Sequence, residues 1–244
     1  MMSGEPEAAA GCTSRMAIEM FWADLDLPPL PYETLAVSLT PDELERAGRY
    51  RNAVLRRRWI TARGALRHCL ANRTGIEPGA IRLLVSPRGK PRLDGGPSFN
   101  LSHSGRHLLI AVTPVGRVGV DVEQRRAVPD LDSLAALVCT PGEAEAIRAL
   151  PDATPARERS RAFIRTWVCK EALAKAIGAG VTVPLETFEM RHDGGRGNRL
   201  LRARWPAEES ARWQVHAVDA PPRTEAAIAW DDPGLEPTVV SWPG

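Results

Sequence analysis

The chain has 244 residues, enough for one large domain or two modest ones with a sizeable core. Its 32 basic and 30 acidic side chains leave a net charge of +2, which argues against a polycationic nucleic-acid binder. A composition of 43% hydrophobic and 25% charged residues excludes wholesale disorder. No apolar run is long enough to cross a membrane, and residues 1–16 lack the apolar segment of a secretion signal. A cytoplasmic protein with a short disordered N-terminal tail over residues 1–16 is therefore expected.

Along the chain, Thr40-Pro41-Asp42-Glu43 is a helix start: an N-cap hydroxyl, proline in the first turn, and acids at the positive end of the helix dipole. The helix is expected over 40–73, with a possible break near Arg51–Asn52. It carries nine arginines and no acid from Arg46 to Arg73. Arg49, Arg56, Arg63 and Arg67 fall near one face. Val54, Leu55, Trp59, Ala62, Leu66 and Leu70 mark the buried stripe, with Arg58 near its border.

Strands are expected at 81–85, 107–112 and 118–123, with turns at 86–91 and 114–116. Residues 99–104 read as a strand end running into a polar loop. Helices are expected at about 131–138, 141–150 and 157–177, the last stopped by Gly178. Further strands follow at 185–191, 199–205, 212–219 and 224–230, with a hairpin turn at 193–195. The tail from Asp231 to Gly244 is rich in proline and glycine and is expected to wrap loosely. The pattern predicts an α+β fold, arranged as two similar lobes.

Four segments carry chemistry. Val118-Gly119-Val120-Asp121-Val122-Glu123 alternates, so Gly119, Asp121 and Glu123 share one face. The two carboxylates stand about 7 Å apart at the backbone and can converge on one cation, Mg2+ suiting such oxygen donors. Gly119 leaves room beside them for a ligand. The same pattern also fits an acidic edge strand facing solvent. Phe163, Trp167, Glu171 and Lys175 recur every four residues and form one helical stripe. Its acid and base belong either at the rim of a cleft or to a surface ion pair.

Asn100-Leu101-Ser102-His103-Ser104 lacks the GxSxG elbow of a serine nucleophile and instead offers donors to an anion. Gly89-Lys90-Pro91 holds a lysine on a stiff turn. Lys90, Lys170 and Lys175 are the only lysines among 32 basic residues, and all three fall in these segments. Cys12, Cys69, Cys139 and Cys169 lack CxxC spacing and read as reduced thiols. Residues 1–120 hold 16 bases and 11 acids, against 16 and 19 in residues 121–244, a split that suits an anion on one side of a site and a cation on the other.

In this order and spacing, the four segments closely resemble the larger, two-lobed 4′-phosphopantetheinyl transferases, over about residues 40–183. The resemblance implies two similar lobes related by a pseudo-twofold, each a small antiparallel sheet packed on a long helix. The N-terminal lobe would span residues 17–119 and the C-terminal lobe 120–244, in a monomer. It implies that coenzyme A donates 4′-phosphopantetheine to a serine of an apo acyl or peptidyl carrier protein, releasing adenosine 3′,5′-bisphosphate.

By the same resemblance, Asp121, Glu123 and Glu171 hold Mg2+, and Glu171 and Lys175 are catalytic. Arg46, Arg58, Lys90, Pro91, Ser102 and His103, with Asp121 and Lys175, bind coenzyme A. Lys170 orients the motif, contacts phosphate or lies on the surface. Arg92 stands where some relatives carry an aromatic residue, which affects adenine packing. The basic helix of residues 46–73 and the apolar segments after residue 123 both suit carrier docking. The competing readings are a non-catalytic module that binds coenzyme A or a carrier protein, another Mg2+-dependent phosphotransferase, and a nucleic-acid binder. Neither nucleic acid nor membrane is an expected partner.

Overall fold

The computed structural model describes residues 17–86, 89–150, 155–178, 183–192, 198–203 and 212–242. The expected N-terminal tail, Cys12, the hairpin turn at 193–195 and part of the 86–91 turn lie outside them.

The first half runs β1 (Ile18–Asp24), α1 (Tyr32–Val37), α2 (Pro41–Gly48), α3 (Ala53–Thr74), β2 (Leu83–Val85), β3 (Pro91–Leu93), β4 (Ser98–Ser104) and β5 (His107–Thr113). The second runs β6 (Val118–Gln124), α4 (Leu131–Val138), α5 (Pro141–Arg148), α6 (Pro155–Ile177), β7 (Phe188–His192), β8 (Asn198–Ala203), β9 (Gln214–Ala217), β10 (Thr224–Trp230) and β11 (Pro237–Val239). The mixed α+β class is the one the sequence pattern predicts. No helix among the described residues is long and apolar enough to cross a membrane.

The long basic helix is two helices. Thr40 and Glu43 form a reciprocal capping box at the start of α2. The Asn52 side chain then accepts from the amides of Val54 and Leu55 and starts α3 afresh. Gly75 ends α3 in the left-handed region at φ 70°. Because α3 begins at a new cap, its first turn stands clear of the core. Val54 and Leu55 are about half exposed instead of buried, and the buried stripe starts at Ile60. Arg67, expected on the basic surface, is buried, with its guanidinium on Glu43 at 2.8 Å and on the carbonyls of Pro78 and Ile81.

Two sheets organise the molecule, in the strand orders β11-β1-β5-β4 and β6-β10-β9. Helix α3 covers the outer face of the first through Ala62, Leu66 and Leu70 against Phe21, Leu108, Ile110 and Val112. Helix α6 covers the second through Phe163, Val168, Ala172 and Ala176 against Val215, Ala227 and Ala229. The inner faces share a core, in which Met20, Leu109 and Ala111 meet Val118, Val120, Val122, Ile228 and Trp230. Strand β5 is thus buried on both faces and reads as an unbroken apolar run.

The first sheet is mixed, since β11 pairs parallel with β1. The C-terminal segment therefore does not wrap loosely. It supplies the outer strand of the N-terminal sheet, and Trp242 packs against Phe21 and donates to the carbonyl of Trp22. The strand expected at 81–85 is confined to Leu83–Val85.

The two sheets meet along β4 and β6. The expected polar loop at 100–104 is in fact the second half of β4. Its side chains cap the free edge of β6: Asn100 Oδ1 accepts from Val120 N at 2.9 Å, Ser102 Oγ from Val122 N at 3.4 Å, and Ser104 Oγ from Gln124 N at 3.1 Å. A polar strand reads as a loop in one dimension because its partners are another strand's amides. Gly119 is not vacant space for a ligand. A Cβ there would lie 2.2 Å from the Ala172 carbonyl oxygen and 2.4 Å from the Ala176 nitrogen, so α6 fills that space.

Candidate active site

Three elements converge at the seam. From β6, Asp121 is buried, and its Oδ1 accepts from Lys175 Nζ at 2.6 Å and from Ser102 Oγ at 2.8 Å. Lys175 Nζ also donates to Ser102 Oγ at 3.0 Å. Asp121 Oδ2 is buried and has no hydrogen-bond partner. One strand position on, Glu123 Oε2 accepts from Ser104 Oγ at 2.8 Å. Strand β4 thus holds both carboxylates through one hydroxyl each. The close approach of α6 to Gly119 sets Glu171 and Lys175 over this face.

The electrostatics follow from that crowding. Burial pushes the Asp121 carboxyl above the ordinary carboxylate range, against the opposing pull of Lys175, Ser102 and the Val122 amide. Burial raises Glu171 as well, with the charges of Asp121 and Glu123 adding to it and Lys175 opposing. A cation placed among the three would relieve their repulsion. Among the described residues no three Asp, Glu, His or Cys side chains form a ready-made cluster. Mg2+ does not need one, because it takes few protein ligands and keeps waters and phosphates. The donors present fit it: oxygen only, with one buried carboxylate oxygen lacking a donor.

The remaining expected residues divide into three groups. Lys90 Nζ donates to the carbonyls of Lys175 at 2.7 Å and Val118 at 3.3 Å, tying the end of α6 to the start of β6. His103, at the outer end of β4, is held below the usual imidazole pKa by lost hydration and by the charges of Lys175 and Arg58. Arg58 itself is held bidentate by Asp26, both contacts at 2.7 Å. Arg46 and Pro91 line a separate cleft of about 590 Å3 with Trp59, Arg63 and Arg82. There Arg46 and Arg63 lie over the Trp59 ring at 5.8 and 5.4 Å from its centre.

Burial, with the nearby charge of Arg117, pushes the Lys90 amine down to about 8. Between that value and the ordinary lysine pKa the folded chain releases a proton that the unfolded chain keeps, so stability from this position rises with pH. The advantage of wild type over Lys90→Met in urea midpoint is expected to grow from about pH 7.5 to 9.5. A pH-independent difference would refute this.

A family model, ACPS, described as the 4′-phosphopantetheinyl transferase superfamily, matches residues 117–230. The 4′-phosphopantetheinyl transferase HetI of Nostoc sp. is 39% identical over 178 residues, covering 71% of this chain and 73% of that protein. The chain belongs to the 4′-phosphopantetheinyl transferase superfamily. A 4′-phosphopantetheinyl transferase of Bacillus subtilis is 26% identical, covering 72% of this chain and 76% of that protein. The human L-aminoadipate-semialdehyde dehydrogenase-phosphopantetheinyl transferase is 29% identical, covering 77% and 65%.

Within this transferase, Asp121, Glu123, Glu171 and Lys175 lie inside the family match, while Arg46, Arg58, Lys90, Pro91, Ser102 and His103 lie outside it. Sequence reasoning missed three supports of the site. Ser104, expected among the anion donors, instead holds Glu123. Asp26, the partner of Arg58, carries no signal at a separation of 32 positions. The third is the buried pair of Lys170 with Glu143, at 2.5 Å, which places Lys170 in the core of α6. It could have been found, since Thr140-Pro141-Gly142-Glu143 repeats the capping pattern of Thr40-Pro41-Asp42-Glu43.

Proposed function

We propose that the transferase moves 4′-phosphopantetheine from coenzyme A to a serine hydroxyl of an apo acyl or peptidyl carrier protein, releasing adenosine 3′,5′-bisphosphate. The observation that carries this reading is Asp121, with one oxygen held by Lys175 and Ser102 and the other buried without a donor. Asp121, Glu123 and Glu171 would hold Mg2+, which when bound neutralises charge on the pyrophosphate.

In the reaction the serine oxygen bonds to the phosphorus that carries pantetheine, and the bond from that phosphorus to the oxygen bridging the two phosphates breaks. Glu171, beside Asp121 and Glu123 at the seam, would accept the serine proton, directly or through water. Lys175 would exchange its contact with Asp121 for phosphate oxygens as negative charge passes to the leaving nucleotide. Ser102 and His103 at the seam, Arg58 at its rim, and Lys90, Pro91 and Arg46 towards the second cleft would contact coenzyme A.

The paired arrangement supports two lobes related by a pseudo-twofold, over residues 17–119 and 120–244, with β11 of the second crossing back to the sheet of the first; we read the whole as a cytoplasmic monomer. Each half has a capping-box helix whose glutamate binds a buried cation of the following long helix, Glu43 with Arg67 and Glu143 with Lys170. Intact-mass spectrometry of apo acyl and peptidyl carrier proteins, incubated with the transferase, coenzyme A and Mg2+, tests the reaction. The expected result is a gain of one phosphopantetheine that EDTA prevents. No gain on either carrier would refute it.

A further inference from the structure

Beyond the carboxylates, α6 and β6 run on into a cluster of arginines that the transfer chemistry does not use. Arg125 and Arg161 each place Nε on Glu225 Oε1, at 2.6 and 2.9 Å, and Arg165 approaches Oε2 at 3.5 Å. Glu225 is buried and stands opposite Glu123 in the ladder between β10 and β6. Two adjoining depressions of about 310 and 450 Å3 share Arg125 and Arg161, and the exposed Arg126 and Arg223 line the larger. Five guanidiniums thus stand against Glu158, Asp219 and Glu225.

Position gives this excess of charge its meaning. The Arg125 amide bonds the Arg223 carbonyl, which extends the β6–β10 ladder past Gln124. Arg125 therefore lies about 7 Å beyond Glu123, on the strand face of the metal carboxylates. Arg165 and Arg161 precede Glu171 by six and ten residues on α6, about 9 and 15 Å along its axis. A protein that brings a serine to Glu171 lays the surface around that serine over this rim.

The arginines of α3 are more committed. Arg57 stacks on Tyr32, Arg58 binds Asp26, Arg63 and Arg67 bind Glu43, and Arg73 binds Glu19.

We propose that the rim of Arg125, Arg126, Arg161, Arg165 and Arg223 is the docking surface for the carrier protein, engaging an acidic patch beside the acceptor serine. This rests on the transferase reading. Arg126 and Arg223 make the test clean, because they are exposed and hold no side-chain partner among the described residues. The double charge reversal Arg126→Glu/Arg223→Glu is expected to raise the KM for carrier at least tenfold. The kcat, the KM for coenzyme A and the melting temperature stay unchanged. Added salt weakens wild type more than the variant.

A carrier with acidic residues next to its serine changed to lysine regains KM with the variant, and Arg51→Glu/Arg56→Glu, at the bend before α3 and in its first turn, leaves the carrier KM unchanged. If the double reversal fails to fold, Arg126→Gln/Arg223→Gln carries the same prediction with a smaller rise. An unchanged carrier KM in a folded variant overturns the docking surface and leaves the transfer reaction standing. Absence of transfer by wild type overturns both.

Discussion

Replacing Asp121 with alanine is expected to lower kcat for phosphopantetheine transfer by about 10²–10³-fold or more, the range for removing one preorganised charge-stabilising group. The carboxylate organises the site in two ways. Its Oδ1 fixes the Lys175 ammonium, which is also bound to Ser102, and its Oδ2 is buried without a donor and, on the proposed reading, would face the cation. Alanine releases Lys175 and removes that donor together. The fold should tolerate the change, because the buried repulsion with Glu171 is relieved at the same time. The measurement is initial rate by intact mass at saturating coenzyme A, with a melting curve alongside. A loss below tenfold in a folded variant would show that Asp121 is not the centre of the site.

Replacing Lys170 with alanine is expected to destabilise the protein by about 3–5 kcal/mol, the cost of leaving one member of a buried ion pair alone. For a chain of this size that corresponds to a drop of about 6–20 °C in Tm. Lys170 is fully buried, and its ammonium contacts Glu143 at 2.5 Å and the Val138 carbonyl at 2.8 Å. Glu143 in turn caps α5 through Thr140 N and receives Met190 N from β7. One ammonium therefore ties α6 to α4, α5 and β7. A drop of less than about 2 °C by scanning calorimetry would show that the pair is dispensable.

The settled role of Lys170 shows where sequence reasoning ends. Asp121, Glu123, Glu171 and Lys175 were legible because strand and helix periods place each pair on one face before any tertiary contact is known. The start of α2, the stop of α6 at Gly178 and the strand β5 were legible from local pattern alone. Lys170 was not, because burial of a lysine depends on a glutamate 27 positions away. The strand character of residues 100–104 was hidden likewise, since its hydroxyls and amide serve the edge of β6. Gly119 stands out in the sequence, but a missing side chain looks like room for a ligand until the helix that fills it is seen.

The seam of Asn100, Ser102 and Ser104 has a consequence for how this molecule can change. Where two sheets join by a backbone ladder, their mutual register is quantised by the peptide repeat. Here, beside the shared apolar core, the two edge strands are joined by three short side chains, so the width and angle of that seam answer to single-residue exchange while both backbones stay intact. Serine to threonine, or asparagine to aspartate, would retune the gap between the halves in sub-ångström steps. Two of those three side chains also hold the carboxylates, so each adjustment of the gap re-aims Asp121 or Glu123. Cleft geometry and reactive geometry are inherited together.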